Sequence, residues 1–218
     1  MSADILQQIQ TALHALANPE RASAMRAYMR DQFDFLGVPT PERRAALKTL
    51  FRQLKASPEQ LIVLANKLWE LPQREYQYAA LDMLGMHSKE LRITDIPALL
   101  ALALRKSWWD TVDALAALIS DILRGSHDHM DEALTHENFW IRRIALLHQL
   151  GWRGNTDSAR LYSYCLALAH EKEFFIQKAI GWALRDYARH APEEVRVFTQ
   201  KHKDKLSALS YREANKHL

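Results

Sequence analysis

The chain has 218 residues, of which 48% are hydrophobic and 25% charged, a balance that supports a packed core and excludes a disordered chain. No apolar run reaches the roughly 18 residues that a membrane-spanning helix requires, and the single cysteine, Cys165, excludes an internal disulfide framework and fits a reducing, cytoplasmic location. The net charge of +3 is uneven: residues 1–138 carry 15 Lys and Arg against 18 Asp and Glu, whereas residues 139–218 carry 14 against 8.

In chain order, the stretch to Glu20 is an amphipathic pattern without a basic leader or cleavage site, so no secretory signal is expected. Apolar positions then recur at helical spacing, as in Leu61, Leu64, Ala65, Leu68 and again Ile96, Leu99, Leu100, Ala103. Prolines punctuate the pattern. Asn18-Pro19-Glu20, Thr40-Pro41-Glu42, Ser57-Pro58-Glu59 and Ala191-Pro192-Glu193 each read as a helix start, because Pro at the first helical position loses no needed hydrogen bond and an early Glu suits the positive end of the dipole. Helices are expected over 3–17, 19–32, 40–55, 58–70, 73–86, 95–105, 108–124, 128–136, 138–150, 156–170, 173–189, 192–204 and 210–217. No alternating strand pattern and no Pro/Gly/Ser linker interrupts them, so a single all-α domain over 1–218 is expected.

Phe139-Trp140-Ile141-Arg142-Arg143 recurs 35 residues later as Phe174-Phe175-Ile176-Gln177-Lys178. A period near 35 with two helices per unit predicts a curved α-solenoid of stacked HEAT-like or TPR-like helical pairs. Equivalent positions carry Arg143 and Lys178, which predicts a basic concave face suited to a polyanion. Such a charge bias is also compatible with an ordinary solvated surface.

The most informative local pattern is Ser107-Trp108-Trp109-Asp110-Thr111-Val112-Asp113. Trp109 and Asp113 stand one turn apart and share a helix face. Ser107-x-x-Asp110 reads as a capping box, which gives Asp110 a local purpose that Asp113, a turn deeper, lacks. Trp140 with Arg143, and Phe175 with Lys178 and Trp182, make comparable faces. Indole faces attract cations, guanidinium suits phosphate, and a lone carboxylate stabilises developing positive charge. Together they point to a nucleic-acid enzyme acting on a cationic centre. Trp69 and Trp108 are assigned to packing, and of Arg142 and Arg143 only one is expected to face a groove. No metal-ligand spacing, P-loop or nucleophile elbow is present, so no metal or cofactor is expected.

These segments resemble the AlkD-type DNA glycosylases, the HEAT-like-repeat family of DNA alkylation repair enzymes. The resemblance runs from about residue 25 to the C terminus. It is carried by Tyr28-Met29-Arg30-Asp31-Gln32-Phe33, Phe35-Leu36-Gly37, Pro41-Glu42-Arg43-Arg44, the Ser107–Asp113 block, Trp140–Arg143, Lys172–Arg185 and Arg212-Glu213-Ala214. It implies a C-shaped solenoid on duplex DNA that excises cationic N3- and N7-alkylated purines without a cofactor and without base flipping. By the same resemblance Asp113 is the catalytic acid, and Trp109 and Trp182 are active-site aromatics. Arg143 is implied as the main backbone contact and Tyr28 and Arg185 as secondary ones, to which Lys178 and Trp140 are added from their faces. The expected partner is double-stranded DNA, with a monomer as the default state, no membrane, and association with the nucleoid when DNA is bound. The competing class is a non-catalytic HEAT-like scaffold that binds DNA or protein.

Overall fold

The computed structural model describes residues 2–218, with side chains from residue 4 onward; Met1 lies outside the described residues. Its regular structure is thirteen α-helices and two 3-10 turns, with one isolated parallel bridge between Asp34 and Gln73. The chain forms two compact units, residues 1–98 and 99–218, and the boundary falls inside α6 (Ile96–Ala103). None of the helices among the described residues is long and apolar enough to cross a membrane.

The first unit contains α1 (Ser2–His14), α2 (Pro19–Tyr28), α3 (Thr40–Gln53), α4 (Pro58–Glu70) and α5 (Arg74–Met86). Both α1 and α5 pack on α3 and α4. Their facing stripes, among them Ile9 and Leu13, Leu47 and Phe51, Leu61 and Leu68, are buried at the helical spacing that the sequence shows. Trp69 is buried with them, as assigned. Ser57 forms the capping box with Gln60 that opens α4. The third helix starts at Thr40, as its expected range does, with Pro39 as an N-cap that makes no side-chain bond. The second helix ends at Tyr28, short of the expected 32, because Arg30 and Asp31 both take left-handed backbone angles (φ 55° and 56°).

The loop that follows is fastened by Glu75, fully buried at the start of α5. Its carboxylate accepts from the backbone N–H groups of Leu36, Gly37 and Val38 at 2.9, 2.8 and 3.1 Å. Gly37 is required there, since its φ is +85° and a Cβ would lie 2.1 Å from the Asn18 carbonyl oxygen. Arg43 and Arg44 both donate to Asp82 of α5, at 2.9 and 2.8 Å. These parts of the family resemblance are therefore engaged in holding the unit together.

The second unit contains α7 (Trp109–Leu123), α8 (Met130–Leu134), α9 (Phe139–Leu147), α10 (Ser158–Ala167), α11 (Phe174–Ala188), α12 (Pro192–Lys201) and α13 (Ala208–Ala214). Helices α7, α9, α11 and α13 pack one on the next, while α10 bridges α9 and α11, α12 bridges α11 and α13, and α8 packs on α9. This is stacking of helical pairs, as the repeat predicted. The echo marks matching helix starts, for α9 opens on Phe139 and α11 on Phe174.

Behind α9 lies a polar cluster. His148, 1% exposed at the helix's C-cap, places Nδ1 2.6 Å from the Ala145 carbonyl and Nε2 2.9 Å from Nδ1 of His127. The carbonyl only accepts, so His148 carries its proton on Nδ1 and His127 donates to it. Burial pushes the His148 pKa down to about 4. Tyr164 on α10 donates to Asp131 on α8 at 2.5 Å, and Arg160 binds both.

Candidate active site

The site is built on the layer of α7, α9 and α11. Ser107 does not cap α7: its hydroxyl donates to the Ala103 carbonyl at 2.6 Å, and Trp108 occupies the N-cap without a side-chain bond. Asp110 remains in the first helical turn, as expected of a dipole-complementing acid. Asp113 is a turn further on, next to the buried Val112, with its side chain 25% exposed. Trp109, one turn before it on the same face, is half-buried.

Arg143 is the principal correction. Its expected place was an open groove, but its side chain is only 1% exposed. Nε and Nη2 hold the two oxygens of Asp113 at 2.7 and 2.8 Å, while Nη1 donates to the Phe175 carbonyl. A fork that matches a carboxylate at both prongs is spent on orienting that carboxylate. Arg142 is equally engaged, gripping Glu171 at 2.6 and 2.8 Å and the carbonyls of His136 and Glu137. Neither arginine of the pair faces a groove. Trp140 is corrected for the same reason: it is 6% exposed, enclosed by Trp108, Phe139 and Phe175 with ring centroids at 6.0, 4.6 and 4.8 Å. It packs.

Helix α11 supplies the other side. Trp182, half-buried, receives the Arg143 guanidinium 5.2 Å from its ring centre and the Lys178 ammonium at 5.8 Å. Lys178 and Arg185, expected as anion contacts, both bind Glu213 of α13, at 2.9 and 3.0 Å, and keep 25% and 22% of their side chains exposed. Tyr28 belongs to the first unit and is 72% exposed at the end of α2. The structure thus joins Asp113, Arg143, Trp182, Lys178 and Arg185 into one chain of contacts.

Glu213 was missed from sequence as a site member, and Phe175, read there as part of the Lys178 and Trp182 face, has a contact that was not foreseen. Phe175 enters through its carbonyl and ring, whose centre lies 5.8 Å from the Arg143 guanidinium. Glu213 was legible in principle, since one more step of the 35-residue echo from Lys178 lands on it. Chemically, the site offers a carboxylate fixed at both oxygens yet partly exposed, on the helix face that also carries Trp109. An ionised carboxylate has about four lone-pair directions, of which Arg143 takes two, so Asp113 retains acceptor capacity toward solvent. Such a pairing suits a neighbouring cation. Among the described residues no three His, Cys, Asp or Glu side chains group as metal ligands would.

The comparisons agree on one family. The profile described as DNA alkylation repair enzyme matches residues 9–218. A solved structure titled "Predicted DNA alkylation repair enzyme from Enterococcus faecalis" superposes with a TM-score of 0.85 at 34% identity, covering 93% of this chain and 96% of that one. No functionally curated protein matches. With a family profile spanning both units and a solved relative of the same fold matched over nearly all of both chains, the chain belongs to the DNA alkylation repair enzyme family.

Proposed function

We propose that the protein is a monofunctional DNA glycosylase that hydrolyses the N-glycosidic bond of cationic N3- or N7-alkylated purines in duplex DNA. The observation that carries this reading is Asp113, held at both oxygens by a buried arginine while a quarter of its side chain stays exposed, with Trp109 one turn before it on the same helix face and the Trp182 ring centre 5.2 Å from that arginine's guanidinium. Alkylation at N3 or N7 leaves the purine positively charged, so it departs as a neutral base and needs no proton donor. As the C1′–N bond stretches, positive charge passes to the deoxyribose, where a fixed carboxylate lowers the barrier. Water then adds at C1′ and loses a proton, leaving free base and an abasic site. Trp109 and Trp182 present π faces to the charged base and sugar edge. Arg143 serves as the positioning residue for Asp113, while Lys178 and Arg185 have exposed surface to offer phosphate. The partial exposure of Asp113 is in keeping with a sugar met from outside rather than a base drawn into a closed pocket.

The test is release of free bases from methylated duplex in the presence of a chelator. The purified protein is expected to liberate 7-methylguanine and 3-methyladenine and to leave uracil and hypoxanthine in place. Those neutral bases leave badly without protonation. Efficient release of either would mean an acid other than Asp113 operates, and would overturn the mechanism.

A further inference from the structure

Across the α7, α9, α11 and α13 layer the charges run acid, base, base, acid, so that each cation has an acid on the helix beside it. Asp113 pairs with Arg143; Lys178 stands at the Arg143 position one repeat on; 35 residues further, Glu213 answers Lys178 as Asp113 answers Arg143. The second pair differs from the first in carrying two cations on one acid. Glu213 Oε1 accepts from Lys178 Nζ at 2.9 Å and Oε2 from Arg185 Nη1 at 3.0 Å. The lysine's hydrogen bond is the main reason that the Glu213 carboxyl group lies below its ordinary range, and the Trp182 indole N–H contributes as well.

Trp182 is therefore held through Lys178, whose ammonium lies 5.8 Å from its ring centre and is itself bound to Glu213, while the Arg143 guanidinium lies 5.2 Å from the same ring. The backbone is arranged for this closeness. A Cβ on Gly181 would lie 2.4 Å from the Glu213 Cβ and 3.1 Å from the Ser210 carbonyl oxygen, so α13 meets α11 at the residue preceding Trp182. Along the same face of α11, Phe174, Lys178, Trp182 and Arg185 form an aromatic–cation–aromatic–cation stripe, with Lys178 also 5.9 Å from the Phe174 ring centre. Glu213 is the acid that this stripe meets.

We infer that Glu213 is a positioning residue of the site: it restrains Lys178 beside the Trp182 ring and Arg185 next to it, giving up duplex affinity in return for one arrangement of cations about the indole. This rests on the excision reading for the role of Trp182, but not for the restraint itself. Glu213→Gln keeps the shape and removes the charge. Single-turnover release of 7-methylguanine should fall roughly 10- to 100-fold, the scale of a displaced catalytic group. Binding to undamaged duplex should tighten, with a salt slope steeper by about one unit, because neutralising the one shared acid adds one net positive charge. Without DNA, iodide should quench tryptophan emission more strongly in the variant, because the anion is drawn to the freed cations, and this difference should vanish in a Trp182→Phe background. A merely structural glutamate would instead lower rate, affinity and melting temperature together, and that result overturns the inference, as does an unchanged iodide response. If the wild-type protein releases no base, the excision reading fails, while iodide quenching and undamaged-duplex binding still decide the role of Glu213.

Discussion

Asp113 has two tasks, and they can be separated. It faces the proposed reaction on its open side and neutralises the buried Arg143 on the other. Asp113→Asn is therefore expected to cost stability as well as activity, since a buried guanidinium left without its counter-charge typically costs about 3 kcal/mol. Excision should fall at least about 100-fold even at a temperature where circular dichroism shows the variant folded. Wild-type excision by the folded variant would identify the wrong carboxylate. Arg143 gives the converse case. Its charge is already matched by Asp113, so Arg143→Ala should lower excision while leaving the salt slope of duplex binding unchanged. A slope smaller by about one unit would return Arg143 to the role of phosphate clamp.

At the scale of elements, two contacts set the position of α11 and α9. A helical glycine exchanged for alanine usually gains up to about 1 kcal/mol. At Gly181 the sign should reverse, because the new methyl would meet Glu213 and the Ser210 carbonyl at 2.4 and 3.1 Å. Gly181→Ala is expected to destabilise by about 1–3 kcal/mol in urea unfolding, the range for overpacking, and a gain in stability would mean that α13 shifts freely. The histidine cluster gives a pH signature. His148 is held neutral down to about pH 4 by burial, with His127, Arg160, Asp131, Asp157 and Tyr164 around it. The unfolded chain takes up this proton near 6.5, so the folded state should keep its stability above that value. It should lose up to roughly 3 kcal/mol as pH falls from 6.5 to about 4, and no more from this residue below it. Urea titrations of wild type and His148→Gln across that window should diverge; parallel curves would exclude His148 as their source.

For the molecule as a whole, the charge lies where the proposed site lies. The second unit contains the basic 139–218 stretch and every residue of the Asp113–Glu213 chain of contacts. With Lys178 and Arg185 sharing the one acid Glu213, the group presents about one net positive charge, so affinity for undamaged duplex should drop at least roughly threefold between about 50 and 200 mM salt, the loss expected for one released counterion. Binding insensitive to salt would count against phosphate contact and for the scaffold alternative.

Helix content, the repeat and the candidate carboxylate were legible in the amino-acid sequence, because they depend on short-range periodicity. Apolar spacing, proline at helix starts and the 35-residue echo located all thirteen helices, but the capping box that was to set Asp110 apart from Asp113 is not formed, because Ser107 turns to the Ala103 carbonyl. The ends were less legible: consecutive left-handed residues close α2 early, and nothing in Arg30-Asp31 announces that. What spacing cannot give is which partner a charged side chain finds across the helix layer. Arg143 and Trp140 carry the composition of a DNA contact, yet packing of α9 between α7 and α11 buries both, one against Asp113 and one among aromatic rings. Burying a guanidinium is tolerable only where a carboxylate meets its fork, and that meeting is decided by the distance between helices, a property of the folded unit alone.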